Sequence, residues 1–179
     1  MEPHEPNYRT IPLTKGRFTI VDAANFEQLS KYKWAALEIK GYDTFYAVRS
    51  SPMVNTVRGP MILMHREILG LKPGDKRRGD HRSPTQTLVN VWGNLRIATP
   101  SQNNMNTGAR RKNKSGYKGV SYHRAMQMYR ARIGVSGVQI VLGYRPTAQQ
   151  AHEELYVPAA LKFHGEFANT GESRYAKNQ

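Results

Sequence analysis

The chain has 179 residues, with 27 Lys plus Arg against 13 Asp plus Glu, a formal charge of +14 and no cysteine. Such a length holds one ordinary domain or two small ones with modest cores, and the charge points to a polyanionic partner, nucleic acid above all. The missing cysteines exclude disulfides, cysteine nucleophiles and thiolate-held structural zinc. The opening "MEPHEPNYRT" has neither the basic start nor the apolar run of a signal peptide, and no stretch is long enough to cross a bilayer. A soluble, intracellular protein with no membrane partner is expected, in cytoplasm or nucleoid.

In chain order, "TIPLTKGRFTIVD" reads as two β-branched runs around Lys15-Gly16, a hairpin. Asp22 is placed to cap a helix whose Phe26 and Leu29 share one face. "TFYAVRSS" is a strand, and "VRGPMILMHREILG" a strand passing into a helix that stops at Gly70. Trp34 and Trp92 are expected in packing roles. "TGARRKNKSG", residues 107–116, has four cations, no acid and no large apolar side chain, so it reads as a linker able to lie along phosphates. Three alternating runs follow, "YKGVSYHR", "MYRARIGV" and "QIVLGYRP", with turns near Ala125–Gln127 and Ser136-Gly137. They predict a three-stranded antiparallel sheet. A helix then opens at Thr147 and Gln150, the spacing of a capping box, and ends at Gly165; Pro158 predicts a kink or break near Tyr156. Charge rises along the chain, from eight basic against six acidic side chains over 1–60, through seven against three over 61–106, to twelve against four over 107–179.

One ordered set carries chemistry: Asp80, His81, Asn94, Asn103. Its spacing predicts two residues on a strand, an irregular loop of about a dozen residues, a return strand "NLRIA" and a polar helix starting near Ser101. A hairpin packed on a helix would bring Asp80 and Asn103 together as hard oxygen ligands for a hydrated ion, Mg²⁺ or Mn²⁺ rather than zinc, with His81 beside them. That constellation suits phosphodiester hydrolysis, with neutral His81 taking a proton from water.

The run "MHREILG...GDH...NLRIATPSQNNMN" resembles the HNH (His-Me finger, ββα-metal) endonucleases of phage and intron-associated homing elements, and "IPLTKGRFTIVDAANFEQLSKYKW" resembles the segment that precedes their nuclease motif. The resemblance implies metal ligands at Asp80 and Asn103, a general base at His81 and a catalytic-loop brace at Asn94 that helps orient the base. It gives His65 and Arg66 supporting roles and makes Arg96 a phosphate contact. The loop "RSPTQTLVNVWG" is one residue longer than is usual there. The C-terminal "SGYKGVSYHRAMQMYRARIGVSGVQIVLGYRPTAQQAHEELY" is similar to the Apetala-two (ethylene-response-factor) DNA-binding domain, whose sheet enters the major groove. The positions this implies at DNA are His123, Arg124, Tyr129, Arg130, Arg132 and Gln139, with Arg145 less firmly placed. Tyr129 stands where that family usually has Trp.

The expectation is therefore an α+β protein: a supporting region over 1–60, an HNH module over 61–106, a basic linker over 107–116, an Apetala-two-like domain of a three-stranded antiparallel sheet on one helix over 117–170, and a tail over 171–179. It would act as a site-specific, homing-type nuclease on double-stranded DNA, nicking as a monomer or cutting both strands as a homodimer, encoded by a bacterial or phage mobile element. A non-catalytic DNA-binding regulator on a nuclease-like scaffold is the alternative, and a structural RNA- or ribosome-associated protein a third.

Overall fold

A computed structural model describes residues 7–40, 44–52, 59–110 and 112–171. The start of the chain, Arg111 of the linker and all but the first residue of the expected 171–179 tail lie outside the described residues. The fold is α+β, in two compact units divided between Pro100 and Ser101. No helix among the described residues is long and apolar enough to cross a membrane.

In the first unit β1 (Tyr8–Pro12) and β2 (Phe18–Asp22) form the expected hairpin. Lys15 and Gly16 both take positive φ, 60° and 62°, the pair of left-handed residues that a tight hairpin turn matched to strand twist demands. Helix α1 (Ala23–Ser30) follows, with Leu29 buried and Phe26 packed against the core. Asp22 stands at the cap position but does not cap: its Oδ2 accepts from the Trp92 backbone N–H at 2.8 Å instead. Strands β3 (Ala35–Glu38), β4 (Phe45–Ser50) and β5 (Met61–Leu63) make an antiparallel sheet that runs into α2 (Met64–Ile68).

Three short strands then close the unit. Strand β6 (Arg78–His81) pairs antiparallel with β8 (Leu95–Ala98), while β7 (Val89–Asn90), inside the intervening loop, pairs parallel with β2. The core gathers Ile11, Val21, Leu29, Trp34, Ala47 and Met64. Trp34 packs there as expected, but Trp92 is 54 % exposed; it opens a 3₁₀ turn whose backbone, not whose ring, is anchored.

The second unit begins with α3 (Pro100–Asn106) from Ser101 onward. Strands β9 (Val120–His123), β10 (Met128–Val135) and β11 (Val138–Arg145) form the antiparallel sheet, in the order β11-β10-β9. One face packs Val120, Ala131 and Ile133 against Ala151, Tyr156 and Ala160 of the C-terminal helix. Gly119 makes that approach possible: at its φ of +74° an added Cβ would lie 2.2 Å from Cδ2 of Tyr156.

That helix starts as predicted, Thr147 Oγ1 accepting from the Gln150 N–H at 3.1 Å. Pro158 does not break it. A π-helical segment, Ala151–Tyr156, precedes α4 (Val157–His164), and the Val157 N–H reaches back five residues to the His152 carbonyl. The widened turn absorbs the donor that proline lacks and the bulk of its ring.

Candidate active site and nucleic-acid interface

Pairing of β6 with β8 sets Asp80 opposite Arg96 and His81 opposite Leu95. Adjacent strand residues point to opposite faces, so Asp80 and His81 serve two different surroundings. On one face Arg96 Nε donates to Asp80 Oδ2 at 2.9 Å, with both side chains buried. Arg96, expected at a phosphate, is thus taken up by the ion pair; directly opposite positions on an antiparallel ladder favour opposite charges.

On the other face the His81 ring, 2 % exposed, meets Asn90: His81 Nε2 and Asn90 Oδ1 are 3.1 Å apart. The edge-on ring of His65 lies 4.9 Å from that of His81, and Tyr46 lies 5.9 Å away. Gly79 lets α2 come this close, since a Cβ there would sit 2.6 Å from His65 Cδ2. His65 is buried, and Arg66 donates to the carbonyls of Lys72, Asp75 and Arg77, tying down the approach to β6.

Asn94 does not reach His81 by any of these bonds. Its Oδ1 accepts from the Ser83 N–H at 3.0 Å, and its Nδ2 donates to the carbonyls of Gln86 and Val89 at 3.0 and 2.8 Å. It therefore braces the loop that leaves His81. The residue against the imidazole is Asn90, which the sequence reading passed over. A polar residue between valines in "LVNV" was the available signal: an amide buried to 1 % must find partners.

Asn103 sits half-buried on α3 in the second unit, where its carbonyl accepts from Thr107 Oγ1. Among the described residues no group of three His, Asp, Glu or Cys side chains is placed to hold a metal. The Asp80 carboxylate is a hard oxygen donor, of a kind that suits a largely hydrated divalent ion better than zinc.

In the second unit, strand register sorts the DNA-binding candidates. Ala131 and Ile133 face the core, so Arg130 and Arg132 face outward, together with His123, Gln139 and Tyr144. Tyr129 does not join them: it packs against the core, paired with Tyr122 at 5.2 Å between rings. The aromatic on the cationic face is Tyr144, opposite Arg130 and edge-on to His123 at 5.5 Å. His123 Nδ1 and Arg130 Nε are buried atoms with no hydrogen-bond partner among the described residues. Arg124 lies exposed in the turn after β9, and Arg145 is held by Glu154 at 2.6 Å.

No family profile matches the chain, and no solved structure matches it. It is 32 % identical over 157 residues, 86 % of this chain and 74 % of the relative, to a protein of Acanthamoeba polyphaga mimivirus named as an uncharacterized HNH endonuclease. With a likeness of that extent running through the Asp80–His81 hairpin, the chain belongs to the HNH endonuclease family.

Proposed function

We propose that the protein is a site-specific, metal-dependent DNA endonuclease of the homing type, in which the Asp80, His81, Asn94, Asn103 set cleaves and the outer face of the β9–β11 sheet holds DNA as an Apetala-two-like module. The observation that carries the reading is the His81 imidazole, held by a hydrogen bond and two flanking rings on a strand next to the one carboxylate of the hairpin. Locked rings of this kind suit a general base, whose proton acceptor must be aimed before substrate arrives.

In this mechanism His81 removes a proton from water. The water oxygen bonds to phosphorus, the bond from phosphorus to the leaving strand oxygen breaks, and that oxygen takes a proton from solvent. Asp80 and Asn103 would hold the divalent ion, Mg²⁺ or Mn²⁺, whose chemistry when bound is Lewis-acid stabilisation of the leaving oxygen. Asn94 keeps the loop after His81 in shape. Arg130, Arg132, His123, Arg124 and Gln139 contact duplex DNA, a role supported by His123 Nδ1 and Arg130 Nε having no hydrogen-bond partner among the described residues. One nuclease site per chain favours nicking by a monomer.

One observation favours the alternative, a DNA-binding regulator without catalysis: Asp80 is already engaged by buried Arg96. A supercoiled plasmid carrying the gene's own flanking DNA, incubated with Mg²⁺ or EDTA, separates the two. Metal-dependent nicking that His81→Ala abolishes supports the nuclease. Tight binding that is indifferent to metal and to Asp80→Ala, with no cleavage, supports the regulator.

A further inference from the structure

We propose that Asn90, which lies outside the Asp80, His81, Asn94, Asn103 set, is the residue that selects the acting nitrogen of His81, through a hydrogen-bond relay anchored on β2. The proposal rests on the reading of His81 as general base. It begins at Thr19, whose Oγ1 is 2.7 Å from the Leu88 carbonyl oxygen. A carbonyl only accepts, so the single hydroxyl proton is spent there. The Met64 sulfur, 3.8 Å away, is a far weaker acceptor.

Thr19 Oγ1 is then left to accept, and Asn90 Nδ2 donates to it at 2.8 Å. That bond orients the carboxamide, turning Oδ1 toward His81 Nε2 at 3.1 Å. An amide oxygen cannot donate, so Nε2 carries the proton and Nδ1 is the basic nitrogen of the neutral ring. A reversed amide would face the Thr19 oxygen with its own oxygen, a repulsive contact in place of a bond, whichever nitrogen of His81 carries the proton.

Burial makes the choice decisive. Thr19 is 0 % and Asn90 1 % exposed, so on that side of the ring water is not at hand to rescue a mismatched orientation. The anchors are rigid as well: Val21 pairs with Asn90 along the parallel β2–β7 bridge, which fixes Thr19 and Asn90 on neighbouring backbones. Asn94, by contrast, gives its side chain to the loop backbone. Asn90 is thus a positioning residue, acting through His81.

The test is a long-range ¹H–¹⁵N spectrum of the full-length, metal-free protein labelled at histidine nitrogens, with plasmid cleavage run in parallel. Wild type is expected to show His81 protonated at Nε2. Asn90→Leu, close in size but unable to accept, should give a mixture of tautomers and lower kcat by roughly 10²-fold with KM for plasmid little changed. Thr19→Val, which keeps the shape and frees the amide to reverse, should shift the tautomer in the same direction. A wild-type His81 protonated at Nδ1 overturns the relay without any variant having to fold, as does an unchanged tautomer in both variants. An Nε2–H tautomer that Asn90→Leu disturbs, in a protein that cuts no DNA, leaves the relay standing and removes the general-base role.

Discussion

Arg96 Nε lies 2.9 Å from Asp80 Oδ2 across the β6–β8 ladder, and neither side chain is open to solvent. The carboxylate proposed as a metal ligand is therefore also the partner of a buried cation. Removing one member of such a pair strands the other, at a typical cost of about 3–5 kcal/mol. Arg96→Met is expected to lower unfolding stability by that order, and Mn²⁺ should raise the urea midpoint of the variant more than that of wild type, because the ion replaces the lost positive charge at Asp80. Equal response of the two proteins to Mn²⁺ would remove Asp80 from the ligand set.

Gly79 is a point of close approach between helix α2 and strand β6. A methyl there would meet His65 Cδ2 at 2.6 Å and Arg66 Cγ at 3.3 Å, and the His65 ring is backed by His81 and Tyr46. Gly79→Ala is expected to destabilise by about 1–3 kcal/mol and to slow cleavage by displacing the His81 ring. Adding His65→Ala should return much of the stability, since the two sites share one contact. A Gly79→Ala protein as stable as wild type would show that the strand has room to shift.

What could be read from the sequence was what local chemistry decides. Lys15-Gly16, the Ser136-Gly137 turn, the Thr147–Gln150 cap and the alternation that puts Arg130 and Arg132 on one face are all settled within a few residues. Reading failed where a partner far along the chain won. Asp22 had the right place to cap α1, but the Trp92 backbone, 70 residues on, took its carboxylate. Asn90 owes its role to Thr19, 71 residues away, through a two-residue parallel bridge that no periodicity announces. Tyr129 is a different failure, because its spacing from Ala131 already placed it on the inner face and the likeness to another family's aromatic overrode that.

The outer sheet face gives the third prediction. If Tyr144, Arg130 and Arg132 lie against DNA, Tyr144→Ala should weaken binding of duplex DNA, while Tyr129→Phe, a change in a packed ring, should not. Arg130→Gln and Arg132→Gln should each reduce the slope of log affinity against log salt by about 1 where they meet phosphate, and alter base preference with little change of slope where they meet guanine edges. Fluorescence anisotropy across a salt series measures both. Equal losses for Tyr144→Ala and Tyr129→Phe would mean that binding depends on the sheet's packing and not on this face.

Lys118 makes the stability of the second unit depend on pH. Its Nζ donates to the Met105 carbonyl, and burial pushes its pKa from the usual 10.5 down to about 8. Between those values the unfolded chain holds a proton that the folded chain has released, so stability rises with pH across that window; below about pH 8 the charged group is buried at a constant cost of at most about 3 kcal/mol. Tyr156 works in the other direction. Burial raises its hydroxyl above the usual 10.0, so above that pH the unfolded chain ionises first and stability falls. The urea midpoint of the second unit, followed through the Ile133 and Val120 methyl resonances, should climb between about pH 8 and pH 10 and then turn down. Lys118→Met should erase the climb and keep the downturn. A wild-type midpoint that stays level across the same window would mean that Lys118 releases no proton there on folding, and that its ammonium is solvated in the folded chain.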